Sequence, residues 1–217
     1  ERRSAHSSGA PELARSRAWV YPTAGMHPHD ASKLDSTARA TIAALCARAQ
    51  CVAVGESGLD WFKEFSPRAA QLEAFDWHAR LAVELNKPLI IHCREAHADL
   101  VAALDRHPGL RAVMHCSSMG SAELPAYLER GLYISFSGSV TYPRNAANRE
   151  AALAVPEDRL LVETDCPFLA PQSQRGRRNE PAFVRETLEF LARLRGTSME
   201  ALAERTSANA QVLFGWS

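Results

Sequence analysis

No stretch of this chain approaches the run of about 18 apolar residues that a bilayer-spanning helix needs. Its start also lacks the charged-then-apolar pattern of a secretion signal. No membrane partner is therefore expected, and the expected location is cytoplasmic. Cysteine is sparse: Cys46, Cys51, Cys93, Cys116 and Cys166 make an odd set with no C-x-x-C spacing. That argues against a disulfide framework and for reduced thiols. Net charge is missing too, because 25 Lys and Arg balance 25 Asp and Glu. A protein that wraps duplex DNA carries a basic excess, since phosphate contacts dominate affinity, so any nucleic-acid contact here must be local. No G-x-G-x-x-G follows an apolar run, which weakens a dinucleotide-binding reading. No low-complexity linker or long charge run divides the chain, and residues 1–217 read as one domain. The chain opens on Glu1, not Met, and is expected to begin inside a longer gene product.

What is present is an alternation. Short apolar runs occur at 18–25, 51–56, 88–93, 111–116, 132–138 and 159–165. They are rich in β-branched and large apolar residues, as buried parallel strands are. Helical spacing falls between them. Ser66-Pro67 reads as an N-cap and first helical residue before Leu72, Phe75, Ala79, Ala82 and Val83. Ala98, Val101 and Leu104 mark a further helix, and Leu124, Tyr127 and Leu128 another. Pro181 opens one with Val184, Leu188, Leu191 and Leu194 on one face, and Thr197 and Glu200 have capping-box spacing before a last one. Strands alternating with helices imply an α/β fold with a parallel sheet. Six strands are visible where a TIM-type (β/α)8 barrel has eight, and the length of 217 residues is short beside the roughly 250 typical of such barrels. An open doubly wound sheet would accept six, so strand count alone does not decide.

The polar residues are more telling than the strands. Glu56, His92, His115 and Asp165 each close an apolar run. In a parallel barrel the C-terminal strand ends meet at one mouth, where active sites lie. Two imidazoles and two carboxylates make an N/O donor set suited to Zn²⁺, Mn²⁺ or a related divalent ion. Any one of them alone is an ordinary hydrogen-bonded loop residue; four at equivalent positions are hard to dismiss. Cys93, Cys116 and Cys166 each follow one of these residues. By strand alternation they should face the helical layer as small buried hydrophobes, not ligands. A second cluster, Gly25-Met26-His27-Pro28-His29, follows the first run. On an extended segment His27 and His29 would present both imidazoles to the same side and could reach the mouth; alternatively they sit exposed on a turn fixed by Pro28. Arg94 follows His92, Arg144 and Arg149 follow the fifth run, and Arg175, Arg177 and Arg178 follow Asp165. They read either as a phosphate-gripping rim or as a solvated face, and their place in loops after strands favours the rim.

The blocks GMHPHDA (25–31), VGESGLD (54–60), PLIIHCREA (88–96), VMHCSSMG (113–120), ISFSGSVTYP (134–143), LLVETDCPFLAP (161–171) and RNEP (178–181) together resemble the TatD family of metal-dependent deoxyribonucleases, within the amidohydrolase-like barrels. Seven ordered blocks from about His27 to the C-terminus make a specific signal. The resemblance implies a TIM-type barrel, with Glu56 as a carboxylate bridging two divalent ions. It implies His92 and His115 as ligands of one ion, and Asp165 as a ligand and partner of the attacking water. Asp165 and Glu56 are thus the expected catalytic pair. His27, His29, Arg94, Arg177 and Arg178 are the expected substrate contacts. One or two ions per chain are expected, Mg²⁺ first, with Zn²⁺ or Mn²⁺ able to fill the site. The expected partner is DNA, as short or single-stranded ends. There are two departures. The family opens on a strand bearing an H-x-H ligand pair, and here His6 stands alone, so the barrel is expected to be incomplete at its N-terminus. CSSMG also stands where the family carries CFSG. Two other readings stay open: hydrolysis of a small ester, amide or lactone on the same barrel, or a non-catalytic fragment lacking the H-x-H ligands.

Overall fold

In the computed structural model the described residues are Arg17 and 19–216. Six parallel strands form one sheet in chain order: β1 Thr23–Ala24, β2 Ala53–Asp60, β3 Leu89–Arg94, β4 Ala112–Met114, β5 Tyr133–Phe136 and β6 Leu160–Val162. The intervening helices are α1 Ser36–Cys46, α2 Arg68–Glu84, α3 His97–Leu104, α4 Leu124–Leu128 and α5 Ala146–Ala154, followed by α6 Val184–Arg195 and α7 Met199–Phe214. Sequential parallel order with a helix after each strand is the winding of a TIM-type barrel. Among the described residues the ring does not close, and β1 and β6 are its two edges. No helix among them is long and apolar enough to cross a membrane.

The main core lies between sheet and helices and includes Phe75, Leu89, Ile91, Leu100, Met114, Ile134, Phe136, Leu160 and Leu191. A smaller apolar layer, Val113, Tyr133 and Leu161 with Ile90, lies on the other face of the sheet and is joined by Leu213 of α7. Each of these four strand residues stands two positions before a polar one: Ile90 before His92, Val113 before His115, Tyr133 before Ser135, and Leu161 before Glu163. Side chains two apart share a face, so this layer is the floor on which the polar cluster rests.

β2 is longer than its apolar run suggests. It continues through the glycine-rich Gly55–Asp60 and pairs with β3 from Ser57↔Ile91 to Asp60↔Arg94, with a register shift between Val54 and Ser57. Gly58 makes the approach possible. Its φ is +154°, and a Cβ there would lie 1.9 Å from the carbonyl oxygen of His92. Any side chain would push the two strands apart.

Two caps differ from expectation. α2 begins at Arg68 with Pro67 as its cap residue. Ser66 is buried, and its hydroxyl donates to the His29 carbonyl at 2.9 Å. Tertiary packing claimed that hydroxyl instead of the helix end. At α7 the cap is Ser198, whose Oγ accepts from Ala201 N at 3.1 Å, one residue later than the capping box placed it. Pro181 opens a 3₁₀ turn, Pro181–Phe183, that leads into α6.

His78, fully buried on α2, ties the helix to the start of the His27 segment. Its Nδ1–H donates to Ala74 O at 2.7 Å, and its Nε2 accepts from Met26 N at 3.1 Å. Burial pushes its pKa down to about 4. The unfolded chain, with a histidine pKa of about 6.5, takes up a proton that the folded ring refuses. Stability from this group is therefore full above about pH 6.5 and falls as pH drops toward 4, by about 3 kcal/mol. His78→Leu is expected to cost about 1–3 kcal/mol at pH 7, because Met26 N–H loses its acceptor. It should also flatten the loss of stability between pH 7 and 5, read from urea midpoints at each pH. An unchanged slope would refute a neutral buried His78.

Candidate metal centre

Glu56 is the one residue of β2 that is not fully buried. Its Oε1 faces three imidazoles: His92 Nδ1 at 2.9 Å, His27 Nε2 at 3.5 Å and His115 Nε2 at 4.0 Å. His115 Nε2 lies 3.4 Å from Asp165 Oδ1, which links Asp165 to the same group. The four residues singled out on four strands thus form one connected cluster, and His27 joins it. Their positions along the strands differ from one another. Glu56 and His92 lie inside β2 and β3, His115 one residue past β4, and Asp165 three residues past β6. Asp165 has φ +58°, a left-handed conformation that Asp tolerates better than most residues.

Two further carboxylates hold the imidazoles from behind. Asp60, buried at the end of β2, meets His92 Nε2 at 3.2 Å and His29 Nε2 at 2.8 Å. Glu163 accepts from His115 Nδ1 at 2.9 Å and from Ser135 Oγ at 2.7 Å. His92 therefore presents Nδ1 to the cluster, and His115 presents Nε2. A carboxylate behind a histidine fixes which nitrogen is left for a ligand. Asp60 is itself fixed: its Oδ1 accepts from Phe62 N and Lys63 N at 3.0 and 2.8 Å. Gln71 of α2 accepts from Asp60 N at 2.8 Å. Neither Asp60 nor Glu163 was singled out from the sequence. Both lie within quoted blocks, and Glu163 is two residues before Asp165 at the end of an alternating strand, which was the available signal.

The electrostatics follow from this packing. Burial alone would raise the Glu56 pKa, but the His92 hydrogen bond and the charges of His115, His27 and His92 outweigh it and hold it near 2. Burial favours neutral His92 and His115, yet the carboxylates around each ring raise both pKa values. For His27 burial prevails, and its pKa falls to about 4 despite Glu56. A neutral imidazole beside an ionised carboxylate is a pair of free donors.

The donor set fits a divalent ion. His27, Glu56 and His92 offer ligand atoms that all lie within 4.8 Å of one another. Two ligands each about 2.1 Å from an ion stand about 3–4 Å apart, close to the spacings around Glu56.

His27 and His29 do not lie on an extended segment. They sit at the start of a 3₁₀ turn, Pro28–Lys33, with ring centroids 4.3 Å apart. His27 reaches Glu56, while His29 reaches Asp60. The arginines divide. Arg94 is exposed at the rim, its Cζ 3.7 Å from the Phe62 ring centroid. Arg177 and Arg178 are exposed in the loop after Asp165, with Arg177 donating to Gln174 Oε1 at 3.2 Å. Arg149 is structural and donates to the Tyr142 and Pro143 carbonyls at 2.6 and 3.0 Å. Arg175 covers the Tyr142 ring at 4.3 Å. In the RNEP block, Asn179 is buried and ties the Asp165 loop, donating to Thr164 O at 2.7 Å and Phe168 O at 2.6 Å.

The cysteines follow alternation only where the strand lasts. Cys93, in β3, is buried toward α3 and α4, with Sγ 3.6 Å from His97 Nδ1 and 3.9 Å from Tyr127 Oη. Cys116 is half-buried at φ +44°, and Cys166 is exposed. Both lie beyond their strand ends, where the two-residue period no longer applies.

Parallel strands that deliver imidazoles and carboxylates to one face of an α/β sheet define a metal-dependent hydrolase of the TIM-barrel class. Within that class the chain matches the TatD-related DNase family model over residues 2–215, and it belongs to that family. It is 41% identical over 218 residues to the 3'-5' ssDNA/RNA exonuclease TatD of Citrobacter rodentium, covering 96% of this chain and 82% of that one. It is 40% identical over 209 residues to the uncharacterized metal-dependent hydrolase YabD of Bacillus subtilis, covering 94% of this chain and 81% of that one. The crystal structure of YjjV, a TatD homologue from Escherichia coli K12, superposes with a TM-score of 0.91 at 28% identity, covering 99% of this chain and 84% of that chain.

Proposed function

We propose that this chain hydrolyses phosphodiester bonds at the ends of single-stranded DNA or RNA. The observation that carries the reading is the convergence on Glu56 of three imidazoles, with His115 joining it to Asp165. The 41% identity to the 3'-5' ssDNA/RNA exonuclease TatD of Citrobacter rodentium supports the substrate. The zero net charge fits a local grip on a strand end better than wrapping of a duplex.

Glu56 and His92 would hold the ion with His27 on one side, and His115 and Asp165 on the other side of Glu56 complete the donor set. A divalent ion there would acidify water and offset the charge that develops on phosphate oxygens. Asp165 orients the attacking water and accepts its proton. Asp60 and Glu163 keep His92 and His115 turned to the centre. Arg94, Arg177 and Arg178 lie in loops at the rim and would hold the flanking phosphates as charge-assisted donors. His29, bound to Asp60, would sit at the substrate edge. Mg²⁺ is the first candidate, with Mn²⁺ and Zn²⁺ suited to the same donors.

The test is digestion of end-labelled oligonucleotides, single-stranded and duplex, with Mg²⁺, Mn²⁺ or Zn²⁺. Stepwise shortening of the single strand, stopped by EDTA and restored by added ion, is the expected result. Hydrolysis of lactones or carboxylic esters with both strands intact would overturn it.

A further inference from the structure

The segment after β2 carries Trp61, Phe62 and Phe65. Trp61 is used internally: its indole N–H donates to Asp99 Oδ2 at 2.8 Å, and the residue is only partly exposed. Phe62 and Phe65 are instead 49% and 57% exposed. Leaving two phenyl rings in water is unfavourable, and both are tied to the metal centre. Phe62 N–H donates to Asp60 Oδ1 at 3.0 Å. The Phe65 ring meets His29 edge to face at 4.8 Å. His29 and Asp60 are themselves joined at 2.8 Å. Two cations gather on Phe62: the Arg94 guanidinium at 3.7 Å and the Lys63 ammonium at 5.2 Å from its centroid. Apolar rings with positive charge beside them, at the edge of a phosphodiester site, match what an unpaired nucleotide presents: a flat base and an anionic backbone.

We infer that Phe62 and Phe65 form a base-stacking platform that seats unpaired nucleobases next to the scissile phosphate, with Arg94 held on Phe62 to meet the neighbouring phosphate. This rests on the nuclease reading above. Ring faces accept any base, so the platform confers preference for single strands without sequence preference. A duplex keeps its base faces stacked on each other and gains nothing from it.

The test uses the Mg²⁺-loaded protein and a phosphorothioate-linked single strand that resists cleavage, with binding read by fluorescence anisotropy. A second strand is identical but abasic at its two terminal positions. Wild type should bind the abasic strand about tenfold or more weakly. The double variant Phe62→Ala/Phe65→Ala should bind the intact strand as weakly as wild type binds the abasic one. It should lose nothing further on the abasic strand. Phe65→Tyr, which keeps the ring, should retain wild-type affinity. Equal loss on both strands, or no loss on the intact strand, would overturn the platform. A wild type that cleaves single strands yet binds both probes equally overturns the platform alone. A wild type that neither binds nor cleaves overturns the nuclease reading, and the platform with it.

Discussion

Replacing Asp165 by Asn should lower single-strand hydrolysis by about 10²–10⁴-fold, the range for loss of a positioned general base. It should leave the thermal midpoint nearly unchanged. The amide keeps the size of the side chain and can still occupy a position near His115, whose Nε2 lies 3.4 Å from Asp165 Oδ1. It cannot accept the proton that the attacking water gives up. Backbone strain does not confuse the comparison, since Asn, like Asp, tolerates the φ of +58° found here. Asp165→Ala would be a poorer probe. It removes the same base but adds about 1 kcal/mol of left-handed strain, so lost activity and lost stability would be mixed. Steady-state digestion of a single-stranded oligonucleotide at saturating ion, with a thermal melt alongside, checks the prediction. A variant within about threefold of wild type would remove Asp165 from proton transfer, since even a weak general base contributes about 10²-fold.

How much of this centre could be read from the sequence depends on how far local periodicity reaches. Glu56, His92, His115 and Asp165 were visible because each follows an apolar run, and parallel winding brings strand ends together. The structure joins them, but through a β2 that runs to Asp60. The run CVAVGE seemed to end at Glu56 because Ser57, Gly58 and Asp60 are not apolar. Those residues are strand because Gly58 lets β2 press against His92 of β3, a tertiary contact that hydropathy cannot show. Hydropathy alone therefore does not mark Asp60 as the partner of His92 and His29. Helices α1 and α5 carry little sequence signal for another reason. Both are alanine-rich, and they bury few side chains: Ile42 and Cys46 in one, Asn148, Ala151 and Ala152 in the other. With little apolar stripe to read, their helicity comes from propensity and packing. The capping serines show the same limit, because Ser66 has an acceptor, His29 O, that lies 37 residues away.

Glu56→Gln should have the other large effect, and it separates ion binding from proton transfer. An ion that binds only the folded state stabilises it by RT ln(1 + [L]/Kd), about 4 kcal/mol at a thousandfold excess over Kd. Wild type should therefore melt higher with added Mn²⁺, and Asp165→Asn should keep most of that rise. Glu56→Gln should lose nearly all of it, together with activity. Glu56 Oε1 is the atom that His27, His92 and His115 share, at 3.5, 2.9 and 4.0 Å. Those same imidazoles hold its pKa near 2, against the upward push of burial, so it is ionised throughout the working range. Gln keeps the shape but offers no charge to offset the cation. It leaves the two histidines, each held from behind by Asp60 or Glu163, without the anion between them. Thermal melts over a Mn²⁺ titration, for wild type and both variants, measure this directly. If Glu56→Gln keeps the full Mn²⁺-dependent rise, the ion is held elsewhere, and the centre described around Glu56 is not the one that binds it.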